Sequence, residues 1–221
     1  MSFSLDFSKP KVILNIGKPG SGKSYNCRFL LLKNSLENEV YEGGIVITST
    51  KFNKDQYPFI PEQYIHEYDK EFLENYINNL KEKREKDGVL PRTFLVFEDM
   101  MGLLSKHDPF IIHLHSIHRH LALDIYHNVQ HLNTGASTWL KEVVSYAFMF
   151  NTRSYNSIKS LYENFGQLFP NVREFREYLI HTTQEKYVAL LYIQGEDDIN
   201  KNYLKYQCPQ GLENLNVKLN Y

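Results

Sequence analysis

The sequence predicts an α/β fold with a central, mostly parallel sheet. Short apolar runs with the length and branching of buried strands recur along its 221 residues. Between these runs, several segments place apolar residues at helical spacing, as residues 69–86 do. A glycine-rich turn also separates the first apolar run from the first helical segment. A chain of this length and pattern is expected to form one domain with a sizeable core.

The first strand, turn and helix are predicted within residues 12–34. Residues 12–16 (VILNI) form the apolar run, and residues 25–34 predict the helix. Between them, residues 17–24 (GKPGSGKS) match the pattern G-x-x-x-x-G-K-[ST] at every fixed position. Strand, glycine loop and helix in this order are the context that a phosphate-binding loop requires.

This loop predicts a nucleoside triphosphate site with Mg²⁺. Glycines let backbone N–H groups turn toward phosphate oxygens, and the helix N-terminus adds partial positive charge. Lys23 can reach the β- and γ-phosphates, and the Ser24 hydroxyl can ligate Mg²⁺. The candidate nucleotide-binding residues are Gly17, Lys18, Pro19, Gly20, Ser21, Gly22, Lys23, Ser24 and Tyr25.

Composition narrows the class of protein. Apolar residues make up 42% and charged residues 23%, and no run reaches the length of a membrane span. The start MSFSLDFSKPK has no apolar stretch of a signal peptide, and two cysteines give no disulfide or zinc pattern. We therefore expect a soluble protein of a reducing, intracellular compartment with no membrane partner. The net charge of −1 argues against a surface coated in basic residues, although a ring could confine its positive charge to a pore.

The remaining elements follow in order. Residues 1–10 are interpreted as a loosely held lead-in, 11–165 as the nucleotide-binding core and 185–221 as a C-terminal hairpin and tail. Residues 51–68 predict an ordered loop. Further strands are predicted at 45–49, 93–99, 123–129, 147–151, 187–193 and 203–206. Further helices are predicted at 69–86 with Asp69 as N-cap, after Asp108-Pro109, and at 137–144, 156–165 and 172–179.

Two predicted strands end in candidate catalytic residues. The strand TFLVF is followed by Glu98 and Asp99. One carboxylate can hold Mg²⁺ through its water shell, and its neighbour can accept a proton from the attacking water. The alternative is a strand that merely ends in a charged turn. Gln130 ends the strand 123–129, which places its amide beside the γ-phosphate if that strand neighbours the phosphate loop.

The helix after Asp108 is rich in histidine, with His113, His115, His118 and His120. Helix geometry brings His115 and His118 together and scatters the other two. Because the spacing lacks an accompanying Cys or HExxH pattern, a solvated or packed helix is favoured over a zinc site.

The order of these motifs resembles the FtsK–HerA superfamily, and within it the poxvirus-type genome-packaging ATPases of large DNA viruses and virophages. The resemblance runs over residues 11–165: GKPGSGKS, then FLVFED, then Arg119-His120 ahead of the strand that ends in Gln130, then YAFMFN. It implies a P-loop NTPase of the ASCE/RecA-like type, a three-layer sandwich. The predicted hairpin at 185–221 lies outside the resemblance and is expected from its two strands as an annex to the main sheet. One departure concerns the acids: the superfamily usually has aspartate first, whereas here Glu98 holds the metal position and Asp99 the base position.

The resemblance implies an ATP-driven motor that moves double-stranded DNA into a preformed capsid. Partners would be DNA without regard to sequence, a homo-oligomeric ring of five or six copies, and capsid vertex proteins, in the infected host cell and the virion. By position, the catalytic residues would be Lys23, Glu98, Asp99, Gln130 and Arg119, and the metal would be held by Ser24 and Glu98.

Arg119 matches an arginine that enters a neighbour's site, and Arg153 is its competitor; the alternative for either is a surface ion pair. Basic loops at 51–54 and 105–107 could face DNA phosphates. Two other functions stay open. A nucleotide or small-molecule kinase would share the phosphate loop, but it would need an arginine-rich lid that the chain lacks. A non-catalytic assembly protein that uses ATP as a switch is harder to separate without measuring phosphate release.

Overall fold

Strands and helices alternate along most of the chain in the computed structural model, which describes residues 5–50, 55–100, 108–132, 138–195, 198–211 and 219. The strands are β1 (Val12–Ile16), β2 (Gly43–Thr48), β3 (Ile65–Glu67), β4 (Thr93–Glu98), β5 (Leu123–Val129), β6 (Tyr146–Phe150), β7 (Val188–Ile193) and β8 (Tyr203–Gln207). The helices are α1 (Lys23–Leu32), α2 (Lys70–Asp87), α3 (Pro109–Ile117), α4 (Thr138–Val143), α5 (Tyr155–Phe165), α6 (Val172–Thr182) and α7 (Ile199–Asn202).

The eight strands described form one sheet in the order β3-β2-β4-β5-β1-β6-β7-β8. The pairings from β3 through to β6 are parallel, whereas β7 pairs antiparallel with both β6 and β8. The predicted mostly parallel sheet is therefore confirmed. Because parallel strands end at a common edge, the segments that follow β1, β4 and β5 meet at the carboxyl edge of the sheet.

Both faces of the sheet are covered, since consecutive strand residues point to opposite sides. Val12 and Leu14 pack on one face, and Ile13 packs on the other. The first face is covered by α2, α3, α5 and α6 through Leu73, Ile77, Ile111, Leu114, Ile158, Leu161, Phe175 and Leu179. The second is covered by α1 and by the loop that carries Tyr57. This arrangement is the predicted three-layer sandwich.

The helix boundaries follow local signals. The Asp69 side chain accepts from the Phe72 N–H at the start of α2, and Asp108 accepts from Phe110 N–H at the start of α3, as predicted. Helix α1 begins two residues earlier than expected, because the phosphate loop turns directly into it at Gly22. Its last turn widens into a π-helical segment, Lys33–Glu37.

The lead-in differs from expectation where the structure describes it. Within residues 5–10, the Phe7 side chain is buried. The Arg92 guanidinium donates to the carbonyl oxygens of Phe7 at 2.8 Å and Lys9 at 2.6 Å. That guanidinium also pairs at 2.9 Å with the Asp124 carboxylate, which is fully buried at the start of β5. This segment is therefore fixed to the sheet, and the prediction of a loose lead-in is wrong for it.

One further expectation needs correction. The loop after β2 contains a short strand, β3, that forms the sheet edge and that sequence patterning did not predict. In β5, all but the last residue are buried, the polar ones included. The C-terminal hairpin, predicted as an annex to the main sheet, extends that sheet through the β6–β7 pairing.

Candidate nucleotide-binding and catalytic site

The phosphate loop lies at the carboxyl edge, between the end of β1 and the start of α1. The Gly17 N–H donates to the Val129 carbonyl at 3.2 Å, which ties the loop to the end of β5. Gly20 and Gly22 have φ of 72° and 111°, a region that side chains disfavour. A Cβ at Gly17 would lie 2.7 Å from the Phe150 Cβ, so the packing of the loop against β6 also requires a glycine at position 17. The loop leaves the N-terminus of α1 facing the same edge.

Lys23 lies inside this loop. Its side-chain nitrogen donates to the Lys18 carbonyl at 3.2 Å, and the residue is only 9% exposed. Burial lowers the pKa of Lys23, while the nearby carboxylates of Glu98 and Asp99 act to raise it. The ammonium group is therefore held between the phosphate loop and the paired acids. An anion placed in the loop would relieve the cost of its burial.

Glu98 at the end of β4 is held by three donors. The Ser24 hydroxyl donates to Oε1 at 2.7 Å, while the Tyr57 hydroxyl and the Asn128 amide donate to Oε2. Burial raises the pKa of Tyr57 well above its usual value, so this hydroxyl stays protonated and can donate. The two predicted metal ligands, Ser24 and Glu98, thus lie within hydrogen-bond distance of each other. Hydroxyl and carboxylate oxygens are donors that Mg²⁺ prefers, and the residues present fit that ion.

Asp99 leaves the strand in a different direction. Its φ of 51° turns the backbone out of β4, and its N–H donates to the Asn128 carbonyl at 3.0 Å. The Gln130 amide nitrogen lies 3.2 Å from both carboxylate oxygens of Asp99. The two adjacent acids therefore have separate partners: Glu98 faces the Ser24 hydroxyl, and Asp99 faces the glutamine at the tip of β5.

A buried chain of amide hydrogen bonds supports Glu98, and no sequence motif predicted it. The Asn26 amide donates to Asn15 Oδ1 at 2.8 Å, and the Asn15 amide donates to Asn128 Oδ1 at 2.8 Å. Asn128 then donates to the Glu98 carboxylate and to the Tyr57 hydroxyl. All three asparagines are fully buried. The sequence held one indication of these hydrogen bonds: Asn15 lies within the otherwise apolar strand β1. A buried amide needs hydrogen-bond partners.

The two candidate arginines lie at opposite edges of the sheet. Arg119 is exposed in the turn between α3 and β5, at the amino ends of the parallel strands. Arg153 is exposed just after β6, at the same carboxyl edge as the phosphate loop. The seven residues of β5 span about 23 Å, so Arg119 cannot reach the phosphate loop of its own chain.

The histidines of α3 contribute to packing. His115 Nδ1 donates to the Ile111 carbonyl at 2.7 Å, so its Nε2 accepts from His127 Nε2 at 2.8 Å. Burial lowers the pKa of His115 to about 4, which keeps this ring neutral. His118 lies next to His115, as predicted, and its Nδ1 donates to the His115 carbonyl at 2.6 Å. Across the ranges that the structure describes, no three His, Cys, Asp or Glu side chains form a group that could hold a metal ion.

Two predicted DNA-facing loops, at 51–54 and 105–107, lie outside the described residues. Among the helices that are described, none combines the length and the apolar character needed to cross a membrane.

Comparisons with known proteins place this geometry in context. No protein-family model matches the sequence. Uncharacterized protein 075L of Invertebrate iridescent virus 6 is 28% identical over 200 residues, which span 88% of this chain and 74% of that protein. The genome packaging NTPase B204 of Sulfolobus turreted icosahedral virus 2, in complex with AMPPCP, superposes with a TM-score of 0.62 at 17% identity. That superposition covers 89% of this chain and 97% of B204.

A second structural neighbour is the cytoplasmic domain of the type VII secretion ATPase EccC from Thermomonospora curvata. It superposes with a TM-score of 0.62 at 17% identity, covering 89% of this chain and 25% of that chain. At 17% sequence identity, these superpositions establish only the fold. The expectation drawn from the FtsK–HerA resemblance is confirmed at that level: this chain has the P-loop NTPase fold shared by a viral genome packaging NTPase and a type VII secretion ATPase.

Proposed function

We propose that this chain is a Mg²⁺-dependent ATPase that, as a ring of identical subunits, drives double-stranded DNA into a viral capsid. The observation that carries the ATPase part is the meeting of three elements at one sheet edge. These are the glycine loop with Lys23, the Ser24–Glu98 pair and the Asp99–Gln130 pair. Strand order brings them together, because β5 lies between β1 and β4.

The phosphate loop would bind the triphosphate. Its backbone N–H groups and the N-terminus of α1 favour the α- and β-phosphates, and Lys23 is placed for the β- and γ-phosphates. Ser24 and Glu98 would hold Mg²⁺, which neutralises charge on the phosphate oxygens when bound. The donors from Tyr57 and Asn128 fix the Glu98 carboxylate, so little reorganisation is needed on metal binding.

Asp99 would act on the attacking water. Its carboxylate can accept a proton from a water directed at the γ-phosphate, which is general-base catalysis. Gln130, 3.2 Å from both carboxylate oxygens, would hold Asp99 in that orientation and contact the γ-phosphate. Hydrolysis would remove the γ-phosphate, one of the groups that the Gln130 amide contacts. The position of this amide at the end of β5 would then depend on which nucleotide is bound.

The motor part of the proposal rests on the comparisons and on exposed charge. B204 of Sulfolobus turreted icosahedral virus 2 is a genome packaging NTPase. B204 of Sulfolobus turreted icosahedral virus is the DNA-packaging ATPase of that virus. Arg119 is exposed at the edge remote from its own phosphate loop, where a head-to-tail ring can bring it to a neighbour's site. Capsid vertex proteins and an infected host cell are the partners and setting that such a motor requires.

The test is DNA-stimulated ATP hydrolysis by the oligomeric protein. A motor that moves a whole genome must contact phosphates and not bases, so duplexes of unrelated sequence should stimulate equally. Stimulation should fall steeply between about 50 and 200 mM salt, because phosphate contacts release counterions. Lys23→Ala, which leaves any DNA-binding surface intact, serves as the hydrolysis-dead control.

Two results would count against the proposal in different ways. If DNA does not change the rate of hydrolysis at low salt, in a preparation shown to be a ring, the motor function is contradicted. An assembly protein that uses ATP as a switch would then be favoured. If nucleotide binds but no phosphate is released under any condition, the proposed ATPase activity itself is contradicted.

A further inference from the structure

Two tyrosines form an aromatic pair beside the phosphate loop. Tyr25 follows Ser24 in α1, and Tyr187 immediately precedes β7 in the C-terminal hairpin. Their ring centroids are 5.9 Å apart with an interplanar angle of 29°. A Cβ added at Gly22 would lie only 2.9 Å from Tyr187 Cδ1, so this ring packs directly on the last glycine of the loop.

Strand order places this pair at the end of the loop opposite to the catalytic acids. The two acids lie at the end of β4 and Gln130 follows β5, and both strands are on one side of β1. Tyr187 precedes β7, which is on the other side of β1. The strands β4 and β7 are four strand spacings apart, about 19 Å. Since the γ-phosphate belongs with the acids, the α-phosphate, sugar and base of a nucleotide must extend toward β7 and the tyrosine pair.

Contacts with the rest of the chain hold both tyrosines in place. Tyr187 has a φ of 61°, which is rare for a bulky residue, and its carbonyl accepts from the Cys208 N–H at 2.9 Å. The Arg28 guanidinium lies 5.6 Å from the Tyr25 ring centroid and donates to the Gln56 carbonyl at 3.1 Å. Backbone strain of this kind persists only where the surroundings hold it, and it is concentrated at functional sites.

We propose that Tyr187, supported by Tyr25, is the stacking platform for the purine base of the nucleotide. This inference rests on the proposed function and adds to it the residue that recognises the base. Tyr187 is 36% exposed, so part of its ring is accessible beside the loop. Stacking on tyrosine needs no particular hydrogen-bonding edge of the base, and removing such a ring weakens binding about 5- to 150-fold.

The experiment compares two ligands that differ in the base. Binding of Mg²⁺–ATP and of Mg²⁺–tripolyphosphate to the full chain is measured by calorimetry for four proteins. These are the unmodified protein, Tyr187→Leu, Tyr187→Phe and Tyr178→Leu. Tyr187→Leu keeps an apolar side chain against Gly22, and Tyr187→Phe keeps the ring. Tyr178 is a control for loss of a half-exposed tyrosine, because it is 39% exposed on α6.

We expect Tyr187→Leu to weaken ATP binding by about 10-fold and to leave tripolyphosphate binding within about 2-fold. Tyr187→Phe and Tyr178→Leu should match the unmodified protein with both ligands. Unchanged ATP binding in Tyr187→Leu, or an equal loss for both ligands, would overturn the stacking role and leave the proposed ATPase untouched. An unmodified protein that binds neither ligand would instead remove the proposed function.

A second measurement covers the case in which Tyr187→Leu does not fold. In a Trp139→Phe background, which removes the single native tryptophan, Tyr187→Trp places a fluorescent ring at the platform. We expect ATP to quench this fluorescence and tripolyphosphate to leave it unchanged. Equal responses to the two ligands would overturn the inference.

Discussion

Replacing the two adjacent acids by their amides separates their proposed roles. Asp99→Asn keeps the size of the side chain and removes its charge. Its carbonyl oxygen can still accept from Gln130, which now lies 3.2 Å from both carboxylate oxygens, so the fold and nucleotide binding should be retained. Loss of a positioned base costs about 10²- to 10⁴-fold in rate. We therefore expect normal ATP binding with turnover reduced by that factor.

Glu98→Gln should behave differently. The Asn128 amide can only donate, so the new side chain must turn its oxygen toward Asn128 and its NH₂ group toward Ser24. The Ser24 hydroxyl can accept that hydrogen bond, so the destabilisation should stay within about 1–3 kcal/mol. The oxygen next to Ser24 is lost, however, and the Mg²⁺ concentration for half-maximal activity should rise.

The assay is phosphate release at saturating ATP over a Mg²⁺ titration, with calorimetric ATP binding and a thermal melt for each variant. Normal turnover in Asp99→Asn, combined with a Glu98→Gln protein that no Mg²⁺ concentration restores, would reverse the two assignments. Normal turnover and Mg²⁺ response in both variants would refute the placement of the site at the ends of β4 and β5.

Two further predictions concern the ring and the core. Mixing Arg119→Ala subunits with Lys23→Ala subunits should restore activity, because each supplies at a shared interface what the other lacks; an arginine acting in trans contributes about 10³- to 10⁵-fold. Rescue by Arg153→Ala instead of Arg119→Ala would transfer the role to Arg153. Burial lowers the pKa of His115 in the folded protein to about 4, from an ordinary value of 6.5, so the unfolded chain binds this proton first as the pH falls. Denaturant titrations should therefore show stability lost between pH 6.5 and 4, by about 3 kcal/mol from this residue, and His115→Gln should lack that part of the loss.

The phosphate loop could be predicted from sequence because its signals are local. The glycines, Lys23 and Ser24 lie within eight residues, and the strand and helix on either side are specified by short patterns. The strand-end acids and Gln130 were singled out for the same reason: each stands at the end of a predicted strand, and parallel strands end at a common edge. The caps Asp69 and Asp108 likewise depend only on the residues that follow them.

The residues that support the site could not be found this way, because their partners are distant in sequence. Tyr57 reaches Glu98 from a loop 41 residues away, and Asn128 reaches it across 30 residues. The other polar residues of β5, Asp124 and His127, are also buried, against Arg92 and His115 respectively. The edge strand β3 has only three residues, too few for a period-two pattern to identify.

The sequence by itself determined which chemical groups the candidate site contains: a glycine loop with a lysine, a hydroxyl and a carboxylate, and an acid followed along the chain by a glutamine. Only the tertiary structure decided how these groups are oriented. Sheet order places the acids on one side of β1 and Tyr187 on the other, and the proposed direction of the nucleotide follows from that order. The left-handed turn at Asp99 separates two adjacent carboxylates, and the buried amides fix one of them. The reason is physical: residue type specifies what a group can donate or accept, whereas its direction depends on packing between segments far apart in the chain.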